Sequence, residues 1–133
     1  MKEELSEESR LSLVNYRLDR ANETMKEAEL LKTEGFYNAA VNRLYYACYY
    51  AVVALLLKNN IQAQTHGGVK TMFGMHFVAN GKISIKIGRI FATLFEKRHS
   101  GDYDDFIYYD SDMVDELYLQ AEMFIKEITN IIK

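Results

Sequence analysis

Not one of the 133 residues is proline, and only 7 are glycine. A chain built of β-hairpins needs frequent turns, and turns draw on those two residue types. Their scarcity excludes a β-sandwich or barrel and permits long uninterrupted helices. Hydrophobic residues make up 49% of the chain and charged residues 26%. That supplies one core and is too apolar for a disordered segment. The length fits a single helical domain over residues 1–133.

Apolar spacing predicts about five helices. From about Ser6 to Glu34, Leu11, Val14, Leu18, Ala21, Met25 and Ala28 recur at steps of three and four, which places them on one helical stripe. Gly35 is the expected C-terminal cap. A second helix, about Phe36–Lys58, carries Val41, Leu44, Cys48, Ala51 and Leu55, with further stripes through Ala40, Ala47 and Ala54 and through Tyr45, Val52 and Leu56. A helix apolar on most faces is central. Thr65 is expected to cap a third helix bearing Val69, Met72, Phe73, His76 and Phe77, ending at Asn80-Gly81. Ser84 opens a fourth, with Ile87, Ile90, Phe91, Leu94 and Phe95 inward and a stop near Ser100-Gly101. Residues 101–110 read as an acidic, aromatic loop. Ser111 is the expected cap of a last helix, where Val114, Leu117, Ala121, Phe124, Ile128 and Ile131 keep the period and Asp112 and Asp115 suit the N-terminal dipole. Short links make these helices an antiparallel bundle, an all-α fold.

Composition narrows the function. One cysteine, Cys48, excludes an internal disulfide framework and a Cys-rich zinc site. A net charge of −3 and a pI of about 5.6 argue against a general nucleic-acid sheath while leaving room for a local basic patch. Residues 1–10 are charged, unlike a secretory signal, and the longest apolar run, near Ala51–Leu57, is short of a membrane span. The expectation is a soluble, cytoplasmic protein that does not enter a membrane. No phosphate-binding glycine loop or nucleophile elbow is present, and His66, His76 and His99 form no i, i+4 ligand pair. Neither a metal nor a cofactor is expected.

Three features exceed what packing requires. Arg43, Tyr46 and Tyr50 share a face of the second helix at i, i+3 and i+7, beside Asn42 and Tyr49. A guanidinium on so apolar a helix must be paired or exposed, and Arg with Tyr is enriched where proteins bind partners. Arg98 precedes Asp102 by four residues and Tyr103 by five, so Asp102 can hold it while its guanidinium meets an anion. Lys82, Lys86, Arg89 and Lys97 form a positive row, a solvated face or a phosphate track.

The run Gly35-Phe36-Tyr37-Asn38-Ala39-Ala40-Val41-Asn42-Arg43-Leu44-Tyr45-Tyr46-Ala47-Cys48-Tyr49-Tyr50-Ala51 resembles the second helix of HEPN domains. So do Thr65-His66-Gly67-Gly68-Val69 and Arg98-His99-Ser100-Gly101-Asp102-Tyr103-Asp104-Asp105 in their places. The resemblance spans about residues 11–132. It implies a helical bundle that forms a homodimer and works beside a minimal nucleotidyltransferase in a toxin–antitoxin pair. Active members of the family are metal-independent ribonucleases with an Arg followed, four to six residues on, by a His. Arg98 matches that Arg, but Tyr103, Asp104 and Asp105 stand where the His would be. The resemblance therefore implies a non-catalytic module that binds a nucleotide or a partner through Arg43, Tyr46, Tyr50, Arg98, Asp102 and Tyr103. One alternative is a ribonuclease in which Arg98 works with a nonstandard base, His66 or His99. Another is a scaffold without a ligand.

Overall fold

The computed structural model describes residues 6–103 and 108–133, with the backbone alone at residues 99–103. Five α-helices follow one another: α1 Glu7–Thr33, α2 Tyr37–Lys58, α3 His66–Phe73, α4 Ile85–Tyr103 and α5 Ser111–Ile132. A π-helical turn, Gly74–Val78, continues α3. No strand occurs among the described residues, so the fold is the expected helical bundle.

Local chemistry sets the ends. The Ser6 hydroxyl accepts from the Ser9 amide at 3.1 Å and opens α1, with Glu7 and Glu8 in the first turn. At the other end Gly35 takes φ +85°, the Phe36 amide donates to the Leu31 carbonyl, and the Gly35 amide donates to that of Lys32. This is a Schellman closure, and it reverses the chain into α2. The same closure ends α2: Asn60 stands at φ 57°, with Ile61 bonded to Leu56 and Asn60 to Leu57. The Arg10 guanidinium donates to the Asn60 side-chain oxygen at 3.0 Å, which fastens that end to α1.

α2 packs against all four other helices. Ala40, Leu44, Tyr45, Ala47, Cys48, Ala51, Val52, Ala54 and Leu55 are fully buried along it. By length and composition α2 could also cross a membrane, but most of it is consumed as the central element of the bundle. A column of rings runs through the core: Tyr45 lies 5.9 Å from Phe91, and Phe91 lies 5.7 Å from Phe124, both nearly parallel. Phe73 meets the edges of Phe91 and Phe124. Each such ring removes enough apolar surface from water to contribute about 2 kcal/mol or more. Tyr109, also buried, is held by its amide to Asn38 and by its hydroxyl to the Lys97 carbonyl.

Several expectations are corrected. α4 continues through Gly101 to Tyr103, so the start of the supposed loop is helical. The cap of α5 is Asp110, whose carboxylate accepts from the Met113 amide at 2.9 Å, and Ser111 is the first helical residue. A carboxylate caps as well as a hydroxyl and adds charge suited to the helix dipole. The third helix changes to π geometry at Gly74 instead of running evenly to Asn80. Leu11 is 39% exposed because it lies in the second turn of α1, beyond the cover of the core. Lys82 precedes α4, so the positive row on that helix starts at Lys86.

Candidate functional site

The site is built on the tyrosine run of α2. Tyr45 is fully buried and Tyr46, Tyr49 and Tyr50 are partly so. Because α3 begins beside this run, its first residue, His66, lies over the rings. The His66 imidazole stacks on Tyr49 at 4.3 Å and 10° and meets Tyr46 edge-on at 5.6 Å. Its Nδ1 is 2.8 Å from the Tyr45 hydroxyl. The α3 N-terminus is itself fixed by Thr65, whose hydroxyl accepts from the Gly68 amide at 2.9 Å.

Arg98 reaches the same rings from α4. Its Nη2 donates to the Tyr46 hydroxyl at 3.2 Å, and its guanidinium carbon is 5.6 Å from the ring centres of both Tyr45 and Tyr46. Arg43 lies over Tyr46 as well, at 5.0 Å, so that one phenol ring attracts two guanidiniums. Arg43 also pairs with Glu27 at 3.6 Å and with the side chain of Asn42. The face extends along α1, where Arg20 lies 5.5 Å from the Tyr50 ring and Arg17 lies 5.7 Å from Tyr16. The buried Arg17 Nε has no hydrogen-bond partner. A buried donor left so costs on the order of 1–3 kcal/mol.

Burial and the nearby Arg98 charge hold His66 below the ordinary histidine range. Burial pushes the Tyr45 phenol far up, so it keeps its proton at any physiological pH. The pair at 2.8 Å is thus a neutral phenol and a neutral imidazole. With Nδ1 engaged by Tyr45, Nε2 is the ring nitrogen left for a ligand. Burial also raises the Tyr49 phenol, an effect opposed by the Arg17 charge.

Sequence reasoning named Arg43, Tyr46, Tyr50 and Arg98, and the structure brings Arg43, Tyr46 and Arg98 together. Tyr50 joins them through Tyr46, 6.2 Å between ring centres. The side chains of Asp102, Tyr103 and His99 lie outside the described residues, as do Asp104 and Asp105 altogether. Arg98 bonds a phenol of α2, a contact not foreseen. Tyr49, named in the sequence beside the Arg43–Tyr46–Tyr50 face, is part of the site, whereas Tyr45 and Arg17 were missed as site residues. His76 stands exposed in the π-helical turn and takes no part. Among the described residues no group of three or more His, Cys, Asp or Glu could hold a metal.

A cation and a neutral imidazole over a tyrosine floor, on α2 and the ends of α3 and α4, is the arrangement to set beside known proteins. The HEPN domain matches residues 14–131. The chain belongs to the HEPN family. A UPF0332 protein of Thermotoga maritima is 34% identical to this HEPN chain over 121 residues, covering 91% of it and 92% of the relative. A Methanocaldococcus jannaschii protein named "Putative toxin MJ0605" is 34% identical over 113 residues, 85% of this chain and 84% of the relative. Another from that organism, similarly named, is 27% identical over 110 residues, 83% of this chain and 75% of the relative. The HEPN chain thus resembles proteins named as toxins over most of its length.

Proposed function

We propose that this HEPN protein is the toxin-type member of a two-component system and that its tyrosine floor binds a nucleotide, with Arg98 and His66 on the phosphate. The observation that carries the reading is the meeting of the Arg98 guanidinium and the His66 imidazole over Tyr45 and Tyr46. Arg supplies a planar, permanently charged donor for phosphate oxygens. His66, neutral through Nδ1, presents Nε2 as a hydrogen-bond donor. Tyr46 and Tyr50 offer ring faces for a base. The partner in this reading is a minimal nucleotidyltransferase, and the protein works as a homodimer; the names of the relatives fit a toxin–antitoxin-type partner, and an Arg–Tyr face is of a type enriched at interfaces.

The test is titration with AMP, ATP and a short single-stranded RNA while the His66 and tyrosine ring resonances are followed. Saturable shifts at His66, lost in Arg98→Ala, are expected. Shifts elsewhere with His66 unmoved would refute the site. Light scattering at micromolar concentration tests the homodimer against the 15.5 kDa chain mass.

A second reading is favoured by one observation, the nearness of His66 to Arg98. In the other tautomer Nδ1–H donates to Tyr45, and Nε2 can take the proton of an RNA 2′-hydroxyl as its oxygen attacks phosphorus. Arg98 then holds the growing phosphate charge, and the 5′-oxygen leaves with a proton from solvent. RNA cleavage without added metal, abolished by His66→Ala and by Arg98→Ala alike, would establish this reading over the first.

A further inference from the structure

All 19 acidic residues lie before Gly35 or after Phe95. Between them stand Arg43, Lys58, Lys70, Lys82, Lys86 and Arg89, with no Asp or Glu. The last four of these cations gather around α3, the π-helical turn and the start of α4. There α4 and the turn touch closely at one point: a Cβ on Gly88 would come within 2.8 Å of Val78 Cγ2. Beside that contact an apolar groove of about 330 Å³ opens between the turn and α4. Phe73, Gly74, Val78, Phe91 and Ala92 line it, and Lys70 and Arg89 are its charged members. Met75, 58% exposed, and Ile85, 64% exposed, stand on the same two elements and extend the apolar surface outside the core.

Charge and shape agree on what fits. Among the described residues none of Lys70, Lys82, Lys86 and Arg89 has an ion pair. Lys70 and Arg89 line the groove itself and edge its apolar walls with positive charge, while Lys82, over the Phe77 ring at 5.6 Å, lies between the π-helical turn and α4, and Lys86 lies on α4. A free phosphate would find the cations but leave the groove empty. An apolar segment would fill the groove but leave four cations without countercharge. An exposed apolar strip edged by charge of one sign marks a site for a partner of the opposite sign.

We propose that this groove docks an acidic amphipathic helix of a partner protein. Its apolar side chains at i, i+3 or i+4, and i+7 enter between the π-helical turn and α4, while its carboxylates meet Lys70, Lys82, Lys86 and Arg89. The groove shares no lining residue with the Arg98–His66 face, although Phe91 of the groove stacks on Tyr45 of that face, and the proposal does not depend on what that face binds.

The experiment uses the full chain and a labelled helical peptide with Leu at i, i+3 and i+7 and Glu elsewhere. A second peptide carries Lys in place of Glu. Gly74 has a helical φ of −60°, and a Cβ there would meet nothing within 4 Å. Gly74 itself lines the groove, so Gly74→Leu adds apolar bulk there from an unobstructed Cβ and leaves the charge unchanged. The acidic peptide is expected to bind, at least about tenfold more weakly to Gly74→Leu and to the pair Lys86→Glu, Arg89→Glu, and the basic peptide is expected not to bind. Equal binding to Gly74→Leu, or equal binding of the basic peptide, overturns the proposal. So does dissociation of a dimer of this chain by Gly74→Leu in sedimentation, which would make a second copy the occupant. Uptake of decanoate by the groove with no binding of the acidic peptide also overturns it, in favour of an anionic amphiphile.

Discussion

The Tyr45 hydroxyl and the Nδ1 of His66 meet at 2.8 Å across 21 positions of sequence, and this contact ties the first residue of α3 to the centre of α2. Tyr45→Phe keeps the ring column with Phe91 and removes only the hydroxyl. Stability should fall by about 1 kcal/mol in urea unfolding, the net value of one hydrogen bond. His66 should lose its fixed orientation, read as averaging of its ring resonances. An unchanged midpoint with unchanged His66 resonances would show that packing alone positions α3.

His66 should titrate below the ordinary histidine value of about 6.5. Burial is the larger cause and the Arg98 charge the smaller, so Arg98→Gln should move the titration part of the way back up. The folded state resists protonation here while the unfolded state accepts it. This contribution to stability is therefore present above the unfolded value and is lost as pH falls through it towards the folded value. NMR titration of the imidazole checks the direction, and Arg98→Gln leaving it unmoved would remove Arg98 from the electrostatics of the site.

Phe91→Ala should destabilise the bundle by about 3–5 kcal/mol, because it opens a cavity facing Tyr45, Phe73 and Phe124 at once. Calorimetry on the variant measures it. A loss near 1 kcal/mol would mean that the column collapses freely.

Gly35→Ala and Asn60→Ala should each cost about 1 kcal/mol or slightly more, since both positions have positive φ at a helix end. Asn60→Ala also loses the bond from Arg10. Asn60→Gly should cost less than Asn60→Ala because it relieves the backbone while losing the same bond. The order Gly above Ala at position 60 is the test.

The helices were legible because burial is periodic. Val114, Leu117, Ala121, Phe124 and Ile128 of α5 are buried as their spacing predicts, and Ile125 and Ile132 widen that stripe. Ends were less legible, since Asp110 and Ser111 are both capping residues and only geometry separates them. Gly101 reads as a stop, yet glycine merely weakens a helix, and α4 passes through it. Arg98, Arg43 and Tyr46 could be named because they share short spacings or a familiar segment. The place of His66 beside Arg98 could be raised only as one option, because no period links a loop-proximal residue to a ring 21 positions away. Leu11 kept the period of α1 and still stayed exposed, since periodicity gives a face and not the extent of its cover.

Cys48 is fully buried in the middle of α2, and burial pushes its thiol strongly towards the unreactive protonated form. A thiol reagent can therefore modify this chain only when the bundle opens around α2. With one cysteine in the sequence, the labelling rate reads that opening directly, with no probe to be introduced. A nucleotide held at the tyrosine floor or a helix held at the groove would each slow the reaction by mass action, in proportion to its affinity for the closed state.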